Sequence, residues 1–531
     1  MDRSSSNISF EPWLPVGQFI SMCSTVTALL VGIIMLVCGV PRSRTLRNWR
    51  LKLPPGPPGL PLIGNLHLLG KLPHQSLTRL SQRYGPVMAL RLGSVNTVVV
   101  SSAETAKEVL RTQDHLFASR PLTITAEVAV DNSDLIWAPL GERWETLRKA
   151  CTSQLFNPKV VDRYKKNRAE TAMTMVKTII EESAGQNGTI LGRKLVDQMY
   201  SNLTQLLFSK RYHGNAGHAS DNEAGQLVHM IQEIMAIGPL ALGDFIPVLR
   251  KLDLDGKEAQ LRAVGAKFKE FFQTVIDERR RQRLSVATES NLDFLDVLLS
   301  LQKHRPHNHH GLSDSNIRGV LIDLISAGSE TSANSLEWVL AELMRHPEIL
   351  RKVQEELDLV VGKERLVDES DIPQLKYLRA VVKETQRLHP VSPLLIARES
   401  VSAARVGGYD IPSKTQVFIN AYAIMRDPSV WENPLKFLPE RFLTTCSHID
   451  GSGHHHQFLP FGSGRRKCVA SNMGLLLIEG TLALLMQTCD FSLPDGMTSE
   501  DVNMEESFGH TAPRAKPLEL IVRSRTPWLI D

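Results

Sequence analysis

Near its carboxyl end the chain carries a glycine-rich, basic loop that ends in a cysteine just before a helix-like apolar run. The loop spans 458–470 and contains the spaced residues Phe461, Gly464, Arg466 and Cys468. Nearby cations and the positive end of a following helix both favour a thiolate. A thiolate acts as a nucleophile or a metal ligand, whereas a lone cysteine is more often an inert, partly buried thiol. Any fold of this chain must therefore hold this sulfur close to the start of a helix.

A long helix with a polar interruption is the second informative feature. Apolar residues recur at helical spacing from Ile317 onward, which predicts a helix of about 28 residues that begins near Ser313 and ends before Pro347. The run 327–332 interrupts this pattern with glycine, which costs ~1 kcal/mol relative to alanine, and with hydroxyls that can bond back to the preceding turn. Two explanations remain equally open: close approach of another backbone at Gly328, or a flat ligand lying against the interruption.

The cysteine loop resembles the heme-binding loop of the cytochrome P450 family of heme-thiolate monooxygenases. The resemblance implies that Cys468 is the metal ligand, as the proximal thiolate of heme b, and that Phe461, Gly464 and Arg466 bind this cofactor. One position departs from the family pattern, because Ala470 stands where glycine is usual. We expect the extra methyl group to be tolerated with a slight shift of the heme.

The interruption of the long helix resembles the oxygen-activation motif of the same family. This similarity implies that Ala327 and Gly328 lie against the cofactor. It also implies catalytic roles for Glu330 and Thr331, as an acid and an alcohol that supply protons during oxygen activation.

Further motifs of the family follow in the expected order along the chain. Glu384 and Arg387 resemble its ExxR pair, and Arg441 lies in a PERF segment; the resemblance implies that the three form a buried salt-bridge network. Trp144 and Arg148 resemble its WxxxR helix. A later arginine, Arg398, also matches the family, and the resemblance implies that Arg148, Arg398 and Arg466 pair with the heme propionates.

The pattern of elements predicts a mainly α fold with a smaller β portion (α+β), which the resemblance identifies as the cytochrome P450 fold. A hairpin is predicted where 87–92 and 97–100 flank a turn. Helices are predicted at 271–284, 291–303, 348–361 and 372–388, and short strands at 405–409, 416–420 and 518–522.

The amino-terminal segment has no charged residue between Pro12 and Pro41, and 19–40 is mostly apolar. Such a run can cross a hydrocarbon core of ~30 Å, which predicts a transmembrane helix. A signal peptide is disfavoured because the start is not strongly basic, the apolar run is too long, and no small-residue cleavage pattern follows. Basic residues follow the span, so the body is expected in the cytosol. The predicted parts are a short lumenal N-terminus at 1–18, the anchor at 19–40, a basic and proline-rich hinge at 41–61, and a heme-thiolate catalytic domain at 62–531.

Location and partners follow from this organisation. The family implies a single-pass protein of the endoplasmic reticulum membrane, with the lipid bilayer as a partner and Asn7 as a possible lumenal glycosylation acceptor. The net charge of +4 gives no reason to expect nucleic acid. The six cysteines lack metal or disulfide spacing and are expected to be mostly free thiols.

The chain also lacks a nucleotide or flavin motif of its own. The resemblance therefore implies O2 as co-substrate and electrons from NADPH through NADPH-cytochrome P450 reductase, which would dock near Arg465, Arg466 and Lys467.

The expected activity is hydroxylation, or desaturation, of a lipophilic small molecule. The apolar segment 234–249 resembles the loop of the family that dips toward the membrane, which implies entry of a lipophilic substrate there. The resemblance also implies that 121–138, 320–327, 391–397 and 507–511 line the pocket. Similarity to plant members favours a phenylpropanoid or flavonoid of secondary metabolism. The alternatives are a terpenoid or fatty-acid hydroxylase, a non-oxygenating isomerase or dehydratase, and a non-catalytic heme protein.

Overall fold

The computed structural model describes residues 51–184, 188–210, 223–238, 240–285, 292–303 and 312–529. The chain divides into two units, one of residues 1–52 and 60–62 and a larger body of 53–59 and 63–531, which is the subject below. The predicted anchor at 19–40 and Asn7 lie outside the described residues. Among the residues that are described, none of the helices combines the length and the apolar character needed to span a bilayer.

Helices dominate the body, as the apolar periodicity predicts. In the described ranges the α-helices are α1 (Pro73–Tyr84), α2 (Ala103–Lys107), α3 (Asp114–Phe117), α4 (Ile124–Val130), α5 (Glu142–Ala150), α6 (Pro158–Arg163), α7 (Lys165–Ser183), α8 (Leu191–Phe208), α9 (Glu223–Ile237), α10 (Leu242–Phe245), α11 (Lys257–Ser285), α12 (Phe294–Lys303), α13 (Asp314–Arg345), α14 (Pro347–Val360), α15 (Lys376–Leu388), α16 (Ala421–Ile424) and α17 (Ser471–Thr488).

The strands are short and form three small sheets. They are β1 (Val87–Leu92), β2 (Val95–Val100), β3 (Thr189–Ile190), β4 (Arg398–Glu399), β5 (Ala404–Val406), β6 (Tyr409–Ile411), β7 (Gln416–Ile419), β8 (Cys489–Ser492) and β9 (Glu519–Ser524). Their orders are β1-β2-β7-β4, β3-β9-β8 and β5-β6. Strands β1 and β2 pair antiparallel as the predicted hairpin, and β7 joins β2 in parallel. The mainly α architecture with a smaller β portion is thus confirmed.

Helix α13 is the long helix that the sequence predicts. Ser313 caps it: its hydroxyl accepts from the Asn316 backbone N–H while the Asn316 side chain accepts from the Ser313 backbone N–H. The helix ends at Arg345, with His346 as its C-cap directly before Pro347, where a proline stops helix propagation. Its 32 residues span roughly 48 Å, and most of its side chains are buried.

Two sequence predictions need correction. The helix expected at 271–284 begins much earlier, at Lys257. The buried residues Leu261, Val264 and Phe268 already show its helical spacing, which the prediction overlooked. The single strand expected at 405–409 is two strands of a hairpin, β5 and β6, with Gly407 and Gly408 in the turn. Both glycines have positive φ, as a tight hairpin requires.

Three clusters of buried apolar side chains surround the cysteine loop and α13. The largest joins α7, α8, α11, α13 and α17. A second cluster includes Phe458 and Leu459, so the start of the cysteine loop is anchored in a core. A third joins β1 to Phe245 and Ile246 beside α10. The loop and the interruption of α13 are consequently held on rigid parts of the body.

Candidate active site

A cavity of about 450 Å³ lies between the cysteine loop and the interruption of α13. Its wall includes Cys468 and Phe461 from the loop, and Ala327, Gly328 and Thr331 from α13. The structure therefore brings together the two motifs that lie more than a hundred residues apart in the sequence.

The cysteine loop closes on itself through one backbone hydrogen bond, which the Cys468 N–H donates to the Phe461 carbonyl at 3.0 Å. Inside this loop Gly464 has φ +75°, and a Cβ there would stand 2.1 Å from the Leu110 carbonyl oxygen and 2.6 Å from Asp114 Oδ1. Glycine at 464 is thus required by both conformation and space. Ala470, by contrast, has φ −99°, which any L-residue adopts.

The side chain of Cys468 lies at the wall of the internal cavity. The residue keeps accessible surface, although it is enclosed by protein, because that surface faces the cavity. Burial raises the pKa of the thiol, against the lowering effects of the Ala470 N–H and of the Arg148 and Lys467 charges. The cations and the start of the helix thus act in favour of the thiolate, in the direction that the sequence pattern predicts, while burial acts against it. A bound metal cation would keep the sulfur deprotonated.

Arginines gather at the same end of the cavity. Arg398 is buried, donates to Asp114 Oδ1 at 3.3 Å and to the Ser463 carbonyl at 3.0 Å, and has its pKa lowered by burial to about 10. Arg466 donates to three backbone carbonyls, including that of Ala118 at 2.7 Å, and burial together with the Arg398 charge lowers its pKa to about 9. The guanidinium of Arg466 is thus turned into the protein, beside the cavity.

The WxxxR pair lies beside these arginines on α5. Arg148 donates to the Lys467 carbonyl at 2.9 Å, next to the cysteine. Trp144 is buried, and its indole N–H donates to the Leu135 carbonyl at 3.0 Å. The Arg466 guanidinium lies 4.1 Å from the centre of the Trp144 ring, in a cation–π contact. All these side chains line the cavity together with Arg398.

The residues in the interruption of α13 point to different sides of the helix. Thr331 lines the cavity and donates back to the Ala327 carbonyl at 2.6 Å, as predicted for a hydroxyl in this segment. A Cβ on Gly328 would lie 2.8 Å from Leu203 Cδ1, so the bare side of this glycine faces α8. Of the two explanations left open by the sequence, the helix crossing accounts for the missing side chain, although Gly328 also borders the cavity.

Glu330 does not line the cavity, unlike its neighbour Thr331. Burial and the nearby Glu337 carboxylate raise its pKa. On α8, Tyr200 has its pKa raised by burial and by the Glu330 and Asp197 charges, and its hydroxyl is buried without a partner. The acid of the predicted pair thus faces α8, and the alcohol faces the cavity.

The ExxR and PERF residues form one buried network. Arg387 makes two parallel hydrogen bonds of 2.8 Å to the Glu384 carboxylate. Arg441 adds contacts of 3.1 Å to both Glu384 oxygens. The two arginines also donate to backbone carbonyls of 425–436, for example Arg387 to Met425 at 2.8 Å. These bonds tie α15 to the segment that leads into the cysteine loop.

Comparison with known proteins agrees with this geometry. The family model described as "Cytochrome P450" matches residues 54–518. The chain belongs to the cytochrome P450 family. It is 40% identical over 481 residues to cytochrome P450 CYP736A12 of Panax ginseng, covering 89% of this chain and 94% of that protein. It is 38% identical over 489 residues to a flavonoid 3'-monooxygenase of Petunia hybrida, with 91% and 94% covered. It is also 37% identical over 524 residues to a phenylacetaldehyde oxime monooxygenase of Prunus mume, with 96% and 98% covered.

This P450 is therefore an oxidoreductase of the monooxygenase type. Its family uses heme bound through a thiolate, O2, and electrons that NADPH provides through a reductase, and it acts on lipophilic substrates.

The residues at the cysteine end of the cavity fit heme. Burial lowers the pKa values of Arg120, Arg398 and Arg466, and charges of neighbouring arginines lower them further. The site therefore has positive charge for the two heme carboxylates. The exposed edge of Cys468 opens into the same space. A metal there would resolve the conflict between burial of the sulfur and its ionisation.

Sequence reasoning missed several residues of this P450's site. Asp114 accepts from Arg398 and from the Arg465 N–H, and Arg120 donates to the Ile136, Ile396 and Ala397 carbonyls. On α13, Asp323 lies in the segment 320–327 that is expected to line the pocket, but its bonds to the Leu135 and Ile136 N–H groups, at 2.7 and 2.9 Å, were not predicted. None of these residues belongs to a spaced motif, so a single sequence offers no signal for them.

Proposed function

We propose that this P450 hydroxylates, or desaturates, a flavonoid or a related phenylpropanoid. The observation that carries the proposal is the cavity itself, whose wall on the side of α13 is mostly apolar and includes aromatic rings such as Phe245, Phe508 and Trp137. A planar, lipophilic aromatic molecule suits such walls. The similarity to the flavonoid 3'-monooxygenase of Petunia hybrida supports the same substrate class.

The site residues take the following proposed roles. Cys468 would hold the heme iron, and Arg148, Arg398 and Arg466 would hold the heme carboxylates. Trp144, Phe461, Gly464, Ala327 and Gly328 would shape the space around the ring. When bound, heme supplies the oxygen activation and electron transfer that protein side chains cannot perform. The Glu384, Arg387 and Arg441 network would keep the loop that carries the sulfur in place.

Protons would reach the cavity through α13. Thr331 holds a hydroxyl at the cavity wall, fixed by its bond to the Ala327 carbonyl. Glu330, whose pKa is raised by burial, would act as a proton store on the α8 side of the helix. Apolar neighbours in the wall, such as Leu324, would keep bulk water away from this path.

Replacement of Thr331 tests this role. Thr331→Ala should retain heme but divert NADPH-derived electrons to hydrogen peroxide, because proton supply at the cavity wall is lost. The ratio of product formed to NADPH consumed is the measurement. Ser329→Ala is the matched control, since Ser329 donates back to the Ile325 carbonyl in the same helix but does not line the cavity. An unchanged ratio in Thr331→Ala would argue against the role.

The proposed setting is the endoplasmic reticulum membrane, with the span at 19–40 as a single anchor and the 62–531 domain in the cytosol. Exposed apolar side chains at Val248, Leu252 and Leu254 offer a contact with lipid. Binding of the full chain to vesicles, compared with a chain lacking 1–52, tests the anchor.

On the cysteine side, exposed Arg465 together with Lys149 of α5 would form the docking surface for the reductase.

Reconstitution separates the candidate activities. Full-length protein, NADPH-cytochrome P450 reductase and NADPH are incubated with a panel of flavonoids, phenylpropanoids, terpenoids and fatty acids. Hydroxylated or desaturated flavonoid, formed only with NADPH and O2, is the expected product. Turnover of terpenoids or fatty acids, without turnover of flavonoids, would show that the substrate belongs to that class instead. Conversion of a substrate without NADPH would favour an isomerase or dehydratase.

A further inference from the structure

A hairpin near the carboxyl end places one imidazole in the cavity wall. The Ser507 N–H donates to the Pro513 carbonyl at 2.9 Å and the Gly509 N–H to the Thr511 carbonyl at 3.0 Å, which closes the turn around His510. The hairpin is tied to α13, since the Asn334 amide donates to the Thr511 hydroxyl at 3.1 Å. His510 is therefore held in a defined position on a rigid support.

Other polar side chains in the cavity wall have partners in the protein. Asp244 accepts from the Ile124 N–H at 2.7 Å, His389 bonds the Glu342 carboxylate at 2.7 Å, and Gln416 accepts from the Thr97 hydroxyl at 3.2 Å. Asp323 holds two backbone N–H groups, as described above. Each of these side chains thus makes at least one hydrogen bond within the fold, although the His389 Nδ1 is buried without a partner.

His510 differs from these residues. Its Nε2 is buried without a hydrogen-bond partner, and the described residues offer no partner to its Nδ1 either. Nδ1 is not shielded as Nε2 is, and the residue borders the cavity, so this nitrogen can meet a ligand. A ligand in the cavity can therefore gain a hydrogen bond at Nδ1 without breaking one within the protein.

The ring of His510 is neutral at physiological pH. Burial, with a smaller effect from the Lys257 charge, lowers its pKa to about 4. A neutral imidazole accepts one hydrogen bond and attracts no anion by charge. Its ring lies edge-on to Trp137, with centroids 6.1 Å apart, and Phe508 lines the same wall. A hydroxyl donor on an aromatic ring matches both the acceptor and the neighbouring rings.

We propose that His510 is a specificity-determining residue that accepts a hydrogen bond from a phenolic hydroxyl of the substrate. The inference rests on the proposed function, because it defines which aromatic substrates the cavity prefers. Phenols would be favoured over their methyl ethers, since the ether lacks the donor and leaves the imidazole unpaired.

Binding to the full-length holoprotein tests this proposal without turnover. Unsubstituted flavone, the monohydroxyflavones and their methyl ethers are titrated by calorimetry and by their effect on the heme spectrum. We expect at least one monohydroxyflavone to bind about tenfold more tightly than its ether. His510→Phe, which keeps a flat ring without an acceptor, should remove this difference, and His510→Gln should keep part of it. His448→Phe, at an exposed position outside the cavity, should leave it unchanged.

The outcomes separate this inference from the proposed function. If flavones bind the wild type but phenol and ether bind equally, or if His510→Phe keeps the preference, the role of His510 is refuted and the substrate class stands. If none of the flavones binds the wild type while terpenoids do, the flavonoid proposal and the phenol preference both fail. Retention of heme and of the unfolding midpoint in each variant shows that the fold is intact.

Discussion

Gly464 shows how strongly a single residue can be constrained at this site. Its φ of +75° is unfavourable for an L-residue, and the Leu110 carbonyl and the Asp114 carboxylate occupy the place that a side chain would need. Asp114 in turn accepts from Arg398 and from the Arg465 N–H. One glycine thereby lets the cysteine loop approach the arginine end of the cavity.

Gly464→Ala should destabilise the protein by at least about 2 kcal/mol and reduce heme content, because both the backbone conformation and the contact with Leu110 must change. Chemical unfolding and heme quantification are the measurements. Gly480→Ala is the matched control: nothing lies within 4 Å of its added Cβ in α17, and helix propensity should stabilise it by up to about 1 kcal/mol. Equal stability of the two variants would contradict this account.

The site residues that belong to spaced sequence motifs could be predicted from the sequence. The site residues that only the folded chain brings into place could not. Cys468 and Thr331 carry local signals, and the cavity includes both. Asp114 and Arg120 have no such pattern, and only the folded chain places them beside Arg398 and Arg466. The turn at Gly407-Gly408 did have a signal, the two-residue hairpin pattern, and the prediction of one strand there overlooked it.

Among the elements, the crossing of α8 and α13 explains the polar interruption better than propensity does. Gly328 faces Leu203 across the crossing, and nine residues further along α13 Glu337 faces Gly192, with its Oε2 3.0 Å from the position of a Cβ there. The helices therefore run antiparallel, with a small residue opposite a larger one at both points. A hydrophobic pattern cannot reveal this contact, because it reports burial and not the identity of the partner.

A double-mutant cycle tests this crossing. Gly328→Ala alone should cost about 1–3 kcal/mol, because the new methyl group overpacks against Leu203. Leu203→Ala alone should cost about 2–5 kcal/mol through the space left behind. The double variant should be more stable than the sum predicts by at least about 1 kcal/mol in urea unfolding. Strict additivity would mean that the two residues do not contact each other.

At the scale of the whole molecule, a buried pair of carboxyl groups links α13 to the segment that covers the cavity. Asp134 accepts from the Trp137 N–H at 2.9 Å, and Asp323 accepts from the Leu135 and Ile136 N–H groups. Burial raises the pKa of Asp134 to about 6, and burial with the Asp134 charge raises that of Asp323. Protonation of this pair is therefore coupled to folding.

The contribution of Asp134 to stability should consequently fall as pH rises between about 4 and 6. An unfolded aspartate titrates near 4, so between about pH 4 and 6 the folded state binds a proton that the unfolded state has lost. This difference in proton binding makes folding less favourable as pH rises, and it ends once Asp134 itself ionises above about 6. Asp134→Asn should reduce the fall by about 1–2 kcal/mol in urea unfolding at pH 4.5 and pH 7. Asp131→Asn, exposed in the same segment, controls for loss of a charge. An identical fall in Asp134→Asn and wild type would refute the coupling.

The proposed sulfur–iron bond at Cys468 is tested most directly by the absorbance of the reduced protein under carbon monoxide. We predict the red-shifted band of thiolate-ligated heme in the wild type and in Cys446→Ser, and its loss in Cys468→Ser with the fold retained. A Cys468→Ser variant that keeps the band, or a wild type that binds heme without showing it, would contradict the account.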